Sequence, residues 1–148
     1  MRPALIVATI ALTVACSSGD SVNKEPAGSV AGKWVLQTYN GNALPFTGSV
    51  NANGSVNRVD SGSITFDGKR KSYVLDIKIV NTLGSTVTPQ DFAEVGSFAG
   101  NATTGVVLKP NDLSGGTSRQ IYQQVPVAVS GNTLSLPQDG KILRFAKQ

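Results

Sequence analysis

Few residues in this chain are able to do chemistry. Histidine is absent and Cys16 is the only cysteine. A Ser-His-Asp or Cys-His nucleophilic centre is therefore impossible, as is a zinc site built on histidine. A single thiol also excludes an internal disulfide. From Gly32 onward the carboxylates are Asp60, Asp67, Asp76, Asp91, Glu94, Asp112 and Asp139. Most sit in turn-like sequence, where aspartate serves nearby backbone amides. Asp76 stands mid-strand, opposite an apolar face, and belongs in solvent. No acid and base stand at a spacing that suggests a catalytic site. The expectation is a protein that is not an enzyme and holds no cofactor and no metal.

Two local strings look more chemical than they are. Ser21-Val22-Asn23-Lys24 spells an S-x-x-K pattern, but its polar surroundings offer nothing to desolvate Lys24. Asn51 to Asn57 is rich in oxygen donors. A calcium loop needs several carboxylates and a bidentate Glu at its twelfth position, and here that position is Gly62.

The elements that must position these residues begin with a leader. Arg2 is followed by an uncharged, apolar run from Ala4 to Ala15. A dozen residues is too short for a helix across a bilayer of about 30 Å, which needs roughly 20. The length suits the apolar region of an export signal ending in small residues. Leu12-Thr13-Val14-Ala15-Cys16 resembles the bacterial lipobox, with Thr13 where Leu is commoner. That resemblance implies cleavage after residue 15 and acyl chains on Cys16. Two or three such chains hold a protein at a membrane, each buried CH₂ contributing about 0.8 kcal/mol. Ser17, in place of Asp, favours the outer membrane by the same resemblance, on its periplasmic face or at the cell surface.

Residues 16–31 are small, polar and without periodicity, so they are expected to form a tether that buries nothing. From Gly32 to Gln148 the pattern is β. Lys33–Tyr39 ends at Asn40-Gly41, a strong turn dipeptide. Ser63–Phe66 meets Asp67-Gly68. Ser72–Val80 alternates, with Tyr73, Leu75, Ile77 and Ile79 on one face and Asp76 and Lys78 on the other. Gly105–Lys109 and Arg119–Val125 are short strands stopped by Pro110 and Pro126. Val127–Ser130, Thr133–Leu136 and Lys141–Lys147 make a meander with turns at Gly131-Asn132 and Asp139-Gly140. Thr47–Gly62 and Gly96–Gly105 are expected to be loose, and Phe92–Phe98 is ambiguous. About eight antiparallel strands suit an up-and-down barrel or a β-sandwich, and the closing meander favours the barrel.

Gly32-Lys33-Trp34 opens this domain and matches the G-x-W start of lipocalin-like barrels. WVLQTYNGNALP is similar to the opening of small bacterial lipocalin-like lipoproteins, and GNTLSLPQDGKILRFAK looks like their ending. The resemblance implies a barrel in which Arg144, late in the chain, stacks across Trp34 and closes one end. The T-D-x-x-Y motif of true lipocalins is missing.

From Gly32 to Gln148, eleven basic and seven acidic side chains leave a charge of +4. Lys69-Arg70-Lys71 is the densest cluster. It suits either an anionic surface, such as lipid head groups or polysaccharide, or a solvated hairpin tip. Basic residues are not interleaved with aromatics, so nucleic acid is not expected. The expected protein is a monomer, anchored to a membrane through Cys16, with a barrel that binds a small hydrophobic ligand. The alternative is a packed barrel serving as a structural or interaction module of the cell envelope. Bulky inward residues such as Leu75, Ile77, Ile79, Leu134 and Leu136 bear on that choice, since a carrier needs gaps among them.

Overall fold

The structure, a computed structural model, describes residues 28–111 and 124–148. The described residues are all-β. Eleven strands run β1 Gly32–Tyr39, β2 Asn42–Ala43, β3 Phe46–Val50, β4 Val56–Asp67, β5 Ser72–Leu83, β6 Thr86–Pro89, β7 Phe92–Asn101, β8 Gly105–Pro110, β9 Val125–Ser130, β10 Thr133–Gln138 and β11 Lys141–Lys147. β1 pairs antiparallel with β11 on one side and with β4 on the other. That double pairing closes an eight-stranded antiparallel barrel of β1, β4, β5, β7, β8, β9, β10 and β11, in chain order around the ring. A sandwich would leave the first and last strands unjoined. The short strands β2, β3 and β6 lie off the ring, on β1, β4 and β5 respectively.

Local chemistry explains the corners. Asn40-Gly41 and Asp139-Gly140 both hold positive φ at two successive residues (51° and 81°, 49° and 72°). This is the primed turn that matches the twist of a hairpin, and Asn, Asp and Gly tolerate it best. Period-two alternation does the rest. Trp34 and Leu36, Ile64 and Phe66, Tyr73, Leu75 and Ile77, Val106 and Leu108, Leu134 and Leu136, Leu143 and Phe145 all point inward and are buried.

Three expectations need correction. Thr47–Gly62 is not loose: it contains β3 and the first half of β4. A bulge between Val59 and Ser61 shifts the register there, so its inward positions lose a simple alternation. Gly96–Gly105 is also largely strand, because β7 runs through Asn101. Finally, residues 28–31 do not belong to a tether that buries nothing. Val30 is 2% exposed, and the carbonyl of Gly28 accepts a 2.8 Å bond from the Ala102 amide. Residues 119–123 of the expected strand Arg119–Val125 lie outside the described residues, as do residues 1–27, with Cys16 and the leader among them.

Candidate functional site

The barrel has two unlike ends. At the Trp34 end, β1, β5, β8 and β10 begin and β4, β7, β9 and β11 finish. Trp34 is 1% exposed and its Nε1–H donates to the Val30 carbonyl at 2.8 Å. A buried indole needs a partner for its one donor, and the segment just before β1 supplies it. Beside it, Phe66 packs edge-on against Phe98 at 5.0 Å and tilted against Tyr73 at 6.3 Å. Lys71 Nζ lies 5.4 Å from the Phe98 ring centre and Lys147 Nζ lies 5.6 Å from that of Trp34. These two ammonium groups lie within cation–π range of aromatic rings.

The cation over Trp34 is therefore Lys147, not Arg144. Strand parity decides this. Trp34 faces Lys147 directly across β1 and β11, and Arg144 lies three residues earlier with the opposite orientation. Arg144 is exposed on the outer surface, opposite Thr38 and Ser135, between the inward Leu143 and Phe145. The sequence resemblance pointed to the correct strand and the wrong residue.

The interior holds one polar pair that sequence reasoning missed. Glu94 is 3% exposed, and Tyr73 Oη donates to its Oε1 at 2.7 Å. Gly96 stands directly opposite Tyr73, and a Cβ there would come 2.7 Å from Cε1 of the ring. The missing side chain thus makes the space that the tyrosine fills. Among the described residues the other inward side chains of the ring are mostly large and apolar. Ile64, Leu75, Leu134 and Leu143 have no area open even to a water-sized sphere (0% each).

At the opposite, Tyr39 end, Tyr39 and Phe46 stack at 5.6 Å with both rings half-buried. Leu44, Ile79, Phe92 and Val125 pack on the core there without being fully covered. Val50 (67% exposed), Leu83 and Val87 (62% exposed) face solvent on the strands that extend past the barrel.

Among the described residues, several surface aspartates are held by nearby cations or backbone amides. Asp60 is held by Arg58, whose Nη2 donates at 3.1 Å. That hydrogen bond keeps the Asp60 carboxyl below, and the Arg58 guanidinium above, its ordinary value. Lys78 Nζ lies 2.7 Å from Asp91 and 3.5 Å from Asp76, and the Asp91 bond raises its pKa. Asp67 caps a turn by accepting the amides of Arg70 and Lys69, and the Arg70 amide is the main cause of its lowered pKa. Asp112 lies outside the described residues. Among the described residues no cluster of three His, Cys, Asp or Glu side chains is placed to hold a metal. No described helix is long and apolar enough to cross a membrane.

No family model, curated protein or solved structure matches this chain. The fold and its chemistry stand on the residues alone. They describe a lipocalin-like barrel with buried, bulky inward side chains, aromatic rings buried at one end and half-buried at the other.

Proposed function

We propose that this chain is a lipoprotein of the bacterial envelope, attached by acyl chains on Cys16, whose barrel is a packed, non-catalytic module with no deep carrier cavity. The size and burial of the inward side chains support the second half of this reading. An eight-stranded barrel is only just wide enough to take its own side chains or one small ligand. Here large inward side chains, among them Trp34, Phe66, Leu75, Leu134 and Leu136, are all buried. The motif Leu12–Cys16 and the apolar run before it support the anchor. Ser17 supports delivery to the outer membrane.

A second reading has one observation in its favour. The half-buried ring of Tyr39, Leu44, Ile79 and Phe92 at the Tyr39 end offers a shallow apolar seat for a small ligand. Native mass spectrometry of the purified protein separates the two. A packed module flies at the mass of the chain plus its acyl groups, whereas a carrier shows added lipid that collisional activation removes. Labelled palmitate tests the anchor: the wild type incorporates it and Cys16→Ala does not. Continued incorporation by Cys16→Ala would overturn the anchoring.

A further inference from the structure

Charge is unevenly distributed between the two ends of the barrel. At the Trp34 end stand Lys33, Lys69, Arg70, Lys71 and Lys147, with Asp67 as the single acidic side chain among the described residues. Asp67 is itself engaged by backbone amides, and its contact with Arg70 is a loose 3.7 Å. The Arg70 side chain is 84% exposed. At the Tyr39 end acidic and basic side chains are interspersed, the exposed Lys109 among them. Arg58 pairs with Asp60, Lys78 with Asp91, and Asp139 lies two residues from Lys141. The excess positive charge of the described residues is thus concentrated on one face.

The same face is where the chain enters. The Gly28 carbonyl is bonded to Ala102, in the turn between β7 and β8 at the Trp34 end, and Lys147 Nζ donates to the Ser29 carbonyl at 3.3 Å. Twelve links separate Gly28 from Cys16. At about 3.3 to 3.6 Å per residue they reach at most about 40 Å. The residues nearest the acylated cysteine therefore emerge beside the most basic surface of the barrel.

We propose that the Trp34 end is a membrane-facing surface whose cations, Lys33, Lys69, Arg70 and Lys71, contact anionic lipid head groups. Its standing proximity to a bilayer rests on the anchoring at Cys16 proposed above, whereas its orientation and its attraction to anionic lipid rest on charge alone. A tether confines the domain near the bilayer without choosing which end faces it. The charge asymmetry makes that choice, because a basic patch is drawn to an anionic surface within a Debye length of about 10 Å. Attraction near such a surface amounts to about fivefold in partitioning per basic residue.

The test is amine footprinting of the full protein, as purified, on vesicles of phosphatidylcholine alone or mixed with phosphatidylglycerol. On anionic vesicles, acetylation of Lys33, Lys69 and Lys71 should slow severalfold, while Lys78 and Lys141 at the other end react as they do without vesicles. The protection should vanish in about 1 M salt, where the Debye length is about 3 Å. Replacing Lys33, Lys69 and Arg70 by Gln removes three exposed charges and leaves Lys71 and Lys147, whose ammonium groups lie over aromatic rings, in place. That variant should melt as the wild type does and lose about a hundredfold in its preference for anionic over neutral vesicles. Equal labelling at both ends, or protection of Lys141 instead, overturns the proposal. Intact mass from the same sample reports the acyl chains. A chain without them that still shows the protection pattern sinks the anchoring alone.

Discussion

The two ends of this barrel solve the same closure problem with different materials. The Trp34 end is plugged by Trp34, Phe66 and Phe98 and bordered by ammonium groups, with Val30 laid across it. The Tyr39 end leaves its aromatic pair half-covered and exposes Val50 and Val87 on strands that overrun the ring. The difference teaches that stability and accessibility have been separated along the axis. The aromatic rings are buried where the chain enters and half-buried where the hairpins β1–β2 and β10–β11 turn.

The largest effect should come from breaking the plug. Trp34→Ala removes the biggest fully buried side chain and is expected to cost about 3 to 5 kcal/mol in urea unfolding. Tyr39→Ala, at the other end, should cost about 1 to 2 kcal/mol, because its ring is only half-buried and mainly loses a stack. Similar costs at both ends would erase the contrast.

Next comes the segment ahead of β1. Val30→Ala deletes two buried methyl groups and should cost about 2 kcal/mol. A neutral Val30→Ala would mean that the domain starts at Gly32 after all.

The identity of the capping cation gives a smaller, sharper test. Lys147→Ala should cost about 0.5 to 1 kcal/mol, from its position over Trp34 and its bond to Ser29. Arg144→Ala, on the outer surface, should stay within about 0.5 kcal/mol of wild type. In double-mutant cycles with Trp34→Ala, the Lys147 pair should couple by about 0.5 kcal/mol and the Arg144 pair should add. Coupling at Arg144 would restore the lipocalin-like closure.

The smallest effect is in acid. Asp60 and Asp67 both sit below the ordinary aspartate value of 3.8, Asp60 first through its bond from Arg58 and Asp67 first through the Arg70 amide. A lowered folded-state pKa contributes stability that is complete above the unfolded value and lost as pH falls through the folded one. Acid titration of Asp60→Asn and Asp67→Asn should each show a slightly shallower loss below pH 3.8. In high salt the Asp60 contribution should shrink and the Asp67 contribution persist, because amides rather than a mobile guanidinium hold Asp67. Equal salt sensitivity would contradict the assigned partners.

How much of this was legible depended on whether one strand carried its own signal. Ser72–Val80 and the final meander were legible because each alternates by itself and ends at a turn dipeptide. β4 was only half legible, since its bulge at Asp60 breaks the parity that joins Val59 to Ile64. β7 misled for a deeper reason. Its inward residues are Glu94, Gly96 and Phe98, while Val95 faces out. A glutamate and a glycine make sense inside only once Tyr73 is laid opposite Gly96, and that register belongs to two strands together. The Trp34 partner failed similarly. A family likeness identified β11, but parity and the bulge in β1 between Leu36 and Thr38 determine which of its cations faces inward.

The pairing of β1 with β11 has a consequence in time. The amide of Gln148 donates to the carbonyl of Lys33, 115 positions earlier in the chain (148 less 33). Every other join in the ring links strands closer in sequence, so this one closes the longest loop and comes at the greatest entropic cost. Until it forms, the barrel is an open curved sheet. One of its two raw edges is an edge of β1, already bound to β4 on its other side. Folding should therefore be slow, as for other chains dominated by distant contacts. While it proceeds, those two edges are each other's intended partner and also the surfaces most open to a neighbouring molecule.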